Sequence, residues 1–274
     1  MSSSTPIPEG KYVKTANGLT IHYHEAGSGE PVVFIHGSGP GASGYSNFKG
    51  NFRWFAERNF HSIVPDMPGF GLSSKPTDVE YTLDFFVESL HGFLNTIGIT
   101  RSVLLGNSLG GAIALGYALA HPAEVNKLVL MAPGGVEERE TYFQMEGIRE
   151  MINLFMGGGI DANSLRGLLS KLVYDASLVT DDLVAERLGV YKLQHQGVLA
   201  TMKVPNMTSR LGEIKCPVLG LWGTKDLFNP VSGAMKILDG CADARFVLVN
   251  RCGHWVMVEH RDLFNHTCLD FLNR

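Results

Sequence analysis

Cysteine is scarce in this chain of 274 residues: the four present, Cys216, Cys241, Cys252 and Cys268, form no C-x-x-C pair and no metal-ligand spacing. That excludes a disulfide framework and fits unpaired thiols in a reducing compartment. Basic runs are missing as well. Lysine and arginine number 23 against 27 acids, for a net charge of −4, and the cations are scattered, so nothing marks a nucleic-acid surface. The opening stretch MSSSTPIPEG has neither the basic nor the apolar segment of a secretory signal, so the cytoplasm is the expected location. Uninterrupted membrane-length apolar stretches are lacking too: residues 104–120 come nearest, but Asn107, Ser108 and four glycines interrupt them. No internal repeat and no low-complexity tract occurs beyond a short Ser run. What is present, 45% hydrophobic and 18% charged residues, suits one large globular domain with room for an inserted subdomain.

Strand and helix patterns alternate along the chain. LTIHYHEAG and PVVFIHG read as strands, YSNFKGNFRWFAERN as a helix, HSIVPD as a strand and TLDFFVESLHGFLNTIG as a helix with apolar positions near 3.6 spacing. SVLLGNS is a strand followed by an Ala- and Leu-rich helix, and VNKLVLMAP is a further strand. From GGVEERE to about Met207 the pattern changes to short helical pieces broken by Gly157, Gly158, Gly159 and Gly189. Alternation then resumes with CPVLGLWG, a helix around SGAMKILDG, the strand ARFVLVN and a terminal helix from about Arg261. The prediction is an α/β fold with a mostly parallel sheet covered by helices, its core split into 1–134 and 208–274 by a helical cap over 135–207.

In such sheets reactive groups gather at the carboxyl ends of strands. Ser108 lies there, in the G-x-S-x-G match Gly106 to Gly110; Asp226 follows PVLGLWGTK, and His254 follows FVLVNRCG. A serine hydroxyl holds its proton at neutral pH, so a His must take it and an acid must support the imidazolium. Ser, then Asp, then His is the order of the α/β-hydrolases. Each residue alone has a plainer explanation: a turn serine, a helix-capping Asp, one His among ten. Their joint placement at three strand ends favours the catalytic reading.

Other matches weigh less. Gly39, Gly41 and Gly44 with Asp66 mimic a dinucleotide fingerprint, but Pro40 interrupts it, and Asp66 is better explained as the anchor of the DMPGFG turn. Ser46 to Lys49 reads S-x-x-K without the other β-lactamase motifs. His22 and His24 alternate on a strand with no third ligand spaced to join them, so no metal is implied.

HGSGPGASGYSNF, DMPGFGLSS, GNSLGG, RLGEIKCPVLGLWGTKD and CGHW together give a narrower picture. From about Val13 onward the chain resembles the α/β-hydrolase fold and, within it, the meta-cleavage product hydrolases, bacterial enzymes of aromatic-compound degradation. The resemblance implies cofactor-independent hydrolysis of a carbon–carbon bond in 2-hydroxy-6-oxo-hexa-2,4-dienoates, giving 2-hydroxypenta-2,4-dienoate and a carboxylic acid. It implies Ser108, Asp226 and His254 as the triad and the backbone N–H groups of Ser38 and Leu109 as the oxyanion hole, with the Ser38 hydroxyl also offered to the C6 carbonyl. Arg187, in AERLGV, is the cap arginine expected to hold the 2-oxygen or carboxylate. Asn107, Asn47 and Asn51 are expected along the carboxylate end, Asn51 as the better match of the last two, with Trp255 packed beside them. Phe143, Met145, Met151, Leu154, Phe155 and Met156 are expected near the C6 substituent, alkyl or aryl, and a homodimer or higher oligomer is implied. A carboxylesterase and a non-catalytic binder of the same fold are the alternatives.

Overall fold

The computed structural model describes residues 8–157, 159–195 and 197–274. Eight strands form one sheet: β1 Lys11–Lys14, β2 Thr20–Ala26, β3 Glu30–Ile35, β4 Phe60–Pro65, β5 Ser102–Asn107, β6 Val125–Met131, β7 Val218–Gly223 and β8 Ala244–Val249. Their order is β1-β2-β4-β3-β5-β6-β7-β8. Only the β1–β2 and β2–β4 pairings are antiparallel; every pairing from β4 to β8 is parallel. β5 lies near the middle, buried along its whole length, which is why its sequence is a continuous apolar run rather than an alternating one.

Alternate residues of the strands supply two cores. Val33, Ile35 and Leu104 face one side, where α3 (Leu83–Thr96), α4 (Leu109–Ala120) and α10 (Ser232–Gly240) pack. Val32, Phe34, Val103 and Leu105 face the other, against α1 (Gly44–Phe48), α2 (Phe52–Ala56), α11 (Val256–Glu259) and α12 (Arg261–Leu272). Between β6 and β7 lie α5 (Arg139–Gln144), α6 (Glu146–Met156), α7 (Ala162–Leu172), α8 (Asp181–Tyr191) and α9 (Gly197–Thr201). The leucines of α7 join the second core, so this helical block is seated on the sheet's carboxyl end.

Three details depart from the sequence prediction. β1 was not foreseen, because KYVK is short, charged and mostly exposed, with no apolar run; it exists by pairing with β2 across a turn at Asn17–Gly18. The single helix predicted over YSNFKGNFRWFAERN is two, α1 and α2, parted at Lys49–Asn51, where Gly50 packs on Arg261 and the Asn51 amide bonds to residues of α11 and α12. Gly189 does not break the cap; it lies exposed inside α8, where glycine weakens a helix without ending it. Gly157 and Gly159 do separate α6 from α7, and Gly158 lies outside the described residues.

Candidate active site

β5 ends at Asn107 and α4 begins at Leu109, so Ser108 alone makes the reversal. Its backbone sits at φ 56° and ψ −116°, outside the low-energy regions for a residue with a side chain. So sharp a bend presses its flanks together: a Cβ on Gly106 would lie 2.2 Å from the Gly110 oxygen, and one on Gly110 would lie 2.0 Å from the Ile35 oxygen of β3. G-x-S-x-G is therefore a packing requirement before it is a chemical one. The Ser108 hydroxyl does not cap α4; it faces a cavity that His254 also lines, and the bond between them is one for the reacting complex to close.

His254 Nδ1 lies 2.7 Å from Asp226 Oδ2, with both side chains buried. The other carboxylate oxygen accepts the backbone N–H groups of Phe228 at 2.7 Å and Asn229 at 2.9 Å, which locks the acid's orientation. With Nδ1–H donating to Asp226, the lone pair of the ring is on Nε2, where a base needs it. The cap also holds this loop. His254 donates its backbone N–H to the Leu172 oxygen at the end of α7, 2.8 Å away. Glu259 accepts the N–H of Gly253 at 2.6 Å with one oxygen and that of Tyr174 at 2.6 Å with the other, tying the His254 loop to the chain beyond α7. Nothing in the sequence singled out Glu259, an acid on a four-residue helix.

Arg187 is 2% exposed, and burial pushes its pKa down to about 10. Among the described residues it forms no ion pair. Nη2 donates to Asn47 Oδ1 at 2.9 Å and to the Ser46 oxygen at 3.3 Å, Cζ stands 4.7 Å from the Trp255 ring centroid, and Nε is buried without a partner. A second orphan lies in the same cavity wall. Asn107 Nδ2 donates to the oxygens of Met131 and His254, each at 3.3 Å, which fixes the amide's direction and leaves Oδ1 buried with no donor. Buried polar atoms are rarely left so, and a donor and an acceptor waiting beside a nucleophile point to a polar ligand. Gly41 brings the arginine down: at φ 68° a Cβ there would lie 2.1 Å from the Arg187 oxygen, so only glycine lets α8 approach the loop after β3 this closely.

The cavity, about 50 Å³, gathers Ser108, His254, Ser38, Asn47, Asn107, Arg187 and Trp255. Asp226 stands behind His254, and Leu109 heads α4, whose first N–H groups have no helical partner. Asn51 is the exception. Expected as the better substrate amide, it is used structurally: Nδ2 donates to the Met257 oxygen at 3.1 Å and to Asn265 Oδ1 at 3.0 Å, outside the catalytic cavity. Asn47, the weaker match, lines the cavity. Of the six apolar cap residues expected near C6, Met151 lines the cavity, whereas Phe143 and Met156 are exposed. Ile148, Leu168, Leu172 and Phe228 line it unforeseen, because an apolar helix face looks the same in sequence whether it meets a core or a ligand. A larger groove, about 1060 Å³, shares Asn47 and Trp255 but reaches neither Ser108 nor His254. Asp66 holds its turn as expected, taking bonds from His22, Gly44 and Leu72; burial would raise its pKa, but the His22 bond and the nearby imidazoles hold it below the usual value. Among the described residues no helix is long and apolar enough to cross a membrane.

Residues 30–168 match the family model described as the alpha/beta hydrolase fold. A 2-hydroxy-6-oxononadienedioate/2-hydroxy-6-oxononatrienedioate hydrolase of Comamonas testosteroni is 37% identical over 94% of this chain and 93% of its own. A 2-hydroxy-6-oxo-6-phenylhexa-2,4-dienoate hydrolase of Burkholderia cepacia is 35% identical over the same shares. The solved meta-cleavage product hydrolase of Pseudomonas fluorescens IP01 superposes with a TM-score of 0.86 at 28% identity, covering 96% of this chain and 97% of that one. A serine elbow, a buried His–Asp pair and a helical block over the sheet's carboxyl end, in a chain with these relatives, make it a member of the meta-cleavage product hydrolases of the α/β-hydrolase fold.

Proposed function

We propose that this enzyme hydrolyses the C5–C6 bond of a 2-hydroxy-6-oxo-hexa-2,4-dienoate that carries an uncharged, apolar group on C6. The observation that carries the reading is Arg187, a buried guanidinium with no carboxylate partner among the described residues, set in one cavity with Ser108 and His254. Arg187 takes the C1 carboxylate and the 2-oxygen, and Asn107 Oδ1 accepts the 2-hydroxyl proton's hydrogen bond. Moving that proton to C5 gives the keto tautomer, whose C2 carbonyl is the electron sink that carbon–carbon cleavage needs.

Ser108 then loses its proton to His254 Nε2 and attacks C6, with the developing oxyanion received by the N–H groups of Ser38 and Leu109 and by the Ser38 hydroxyl. The C5–C6 pair flows through the diene to the 2-oxygen, where negative charge develops against Arg187 in a site nearly free of water. A proton returned by His254 gives 2-hydroxypenta-2,4-dienoate, and water, activated by the same ring, releases the carboxylic acid. Helices α6, α7 and α8, the working part of the proposed 135–207 cap, supply Ile148, Met151, Leu168, Leu172 and Arg187 to the cavity.

The apolar part of the cavity lining supports the choice of an apolar substituent. Ile148, Met151, Leu168, Leu172 and Phe228 belong to it, and Arg187 is the only cation lining the cavity among the described residues. A far-end carboxylate, as in the dioate substrate of the Comamonas relative, would be buried there unpaired. The proposal places the enzyme in the cytoplasm as a homo-oligomer; its four free, buried cysteines accord with a reducing compartment. The test is spectrophotometric turnover of the 6-methyl, 6-phenyl and 6-(2-carboxyethyl) dienoates beside an activated aryl ester. Bleaching of an apolar dienoate with release of its acid, and slow turnover of the dioate, are expected. Ester hydrolysis without bleaching of any dienoate would make the protein a carboxylesterase.

A further inference from the structure

Far from the triad, α3 presents Glu88 and His91 three residues apart on one face, and the chain leaving α4 presents His121 and Glu124 with the same spacing. The two imidazoles stack, with centroids 4.0 Å apart and 14° between planes. One ligand atom each from Glu88, His91 and His121 lies within 4.8 Å of the others. His121 Nε2 stands 3.7 Å from Glu88 Oε1, and His91 Nε2 stands 3.3 Å from Glu124 Oε1. Bonds of about 2.0–2.1 Å in a tetrahedral site put neighbouring ligand atoms about 3.3–3.4 Å apart, close to the His121–Glu88 separation.

We propose that Glu88, His91 and His121 bind one divalent transition-metal ion of the zinc class, with Glu124 beside the rings. Two imidazoles and a carboxylate make a site of mixed nitrogen and oxygen donors, suited to zinc or its first-row neighbours rather than to magnesium or calcium. Among the described residues His121 Nε2 is buried without a hydrogen-bond partner, 3.7 Å from Glu88 Oε1 and beyond hydrogen-bond reach of it. Tyr117 donates its hydroxyl to Glu124 Oε2 at 2.5 Å, steering the other carboxylate oxygen toward the rings. The sequence implied no metal because the three residues come from two segments that only the packing of α3 against α4 brings together.

The thirteen residues from Ser108 to His121 put the site about 20 Å from the nucleophile at the helical rise per residue. Its role is to staple α3 to the end of α4 and the turn into β6. The experiment uses untagged protein stripped with EDTA and titrated with Zn²⁺ by calorimetry, with Co²⁺ as a spectroscopic probe. One Zn²⁺ per chain, a rise in Tm on saturation and the visible absorption of tetrahedral Co²⁺ are expected. His91→Ala and His121→Ala should each weaken Zn²⁺ binding at least tenfold with ester and dienoate turnover unchanged. Should His121→Ala fail to fold, exposed Glu88→Gln serves instead, with the same weakening expected. Absence of saturable Zn²⁺ binding, or binding equally tight in His91→Ala and Glu88→Gln, would overturn the proposal.

Discussion

Arg187→Met separates the two things a buried arginine does. Burial that lowers the guanidinium to about 10 from the ordinary 12.5 corresponds to roughly 3 kcal/mol of penalty for keeping the charge in the free enzyme. Against this, Met leaves the Ser46 oxygen and Asn47 Oδ1 without the Nη2 donor, a loss of about 1–3 kcal/mol. The two nearly cancel, so Tm should hold within about 4 °C of the parent, at about 2–4 °C per kcal/mol for a domain of this size class. Catalysis should not hold. Removing one partner of a desolvated, hydrogen-bonded charge pair typically costs about 2–5 kcal/mol, or about 30- to 5,000-fold in kcat/KM. The assay pairs dienoate bleaching with hydrolysis of an aryl ester that lacks the carboxylate and the 2-oxygen; ester turnover should stay within about threefold. A parallel loss on both substrates, or a Tm drop beyond about 6 °C, would refute the reasoning, because Arg187 would then be holding the fold rather than the substrate.

Three further outcomes follow from the geometry. Ser108→Gly should abolish turnover of both substrate types, at least about 10³-fold, yet raise Tm, because a φ of 56° strains any residue with a side chain by about 1–3 kcal/mol; a destabilised Gly variant would contradict the strain. Stability should fall as pH drops below about 6.5. Burial holds His24 and His36 below that ordinary value, and His36 is bound as the neutral ring, donating from Nδ1 to the Gly37 oxygen at 2.7 Å and accepting the Met67 N–H on Nε2 at 2.9 Å. The unfolded chain gains those protons first, so each group takes away up to about 1.4 kcal/mol per pH unit until its native pKa is reached. Urea unfolding from pH 7.5 to 5.5 tests this; a flat or rising ΔG toward acid would show it wrong. Glu259→Ala should lower kcat on dienoate and ester alike, by about tenfold or more, since it frees the His254 loop from the cap, and Glu259→Gln should recover part of it by accepting one of the two N–H groups. Stopped-flow turnover that is unchanged in the Ala variant would remove Glu259 from any positioning role.

The elbow serine and the buried His254–Asp226 pair were legible in the sequence because their constraints are local. Ser108 needs glycine two residues to either side, and Asp226 and His254 need only follow apolar strands, so short patterns carry them. The alternation of period-2 and 3.6-period segments likewise determined a parallel sheet with helices on both faces and a helical insertion between two of its strands. Whatever depends on distant parts meeting was left to the tertiary structure. Asn47 and Asn51 lie four residues apart in one motif, and whether each amide lines the cavity or braces the fold rests on whether α8 or α12 packs over it. Glu259 meets the His254 loop only because the chain after α7 passes beside it, and the apolar cavity residues Ile148, Met151, Leu168, Leu172 and Phe228 are ones a core would have used equally well. Sequence alone determined the fold class and the elbow serine, since backbone sterics and hydrophobic period act over a few residues; packing decided the cavity lining and the His–Glu cluster, since those arise from helices that meet only when the hydrophobic faces of the sheet are covered.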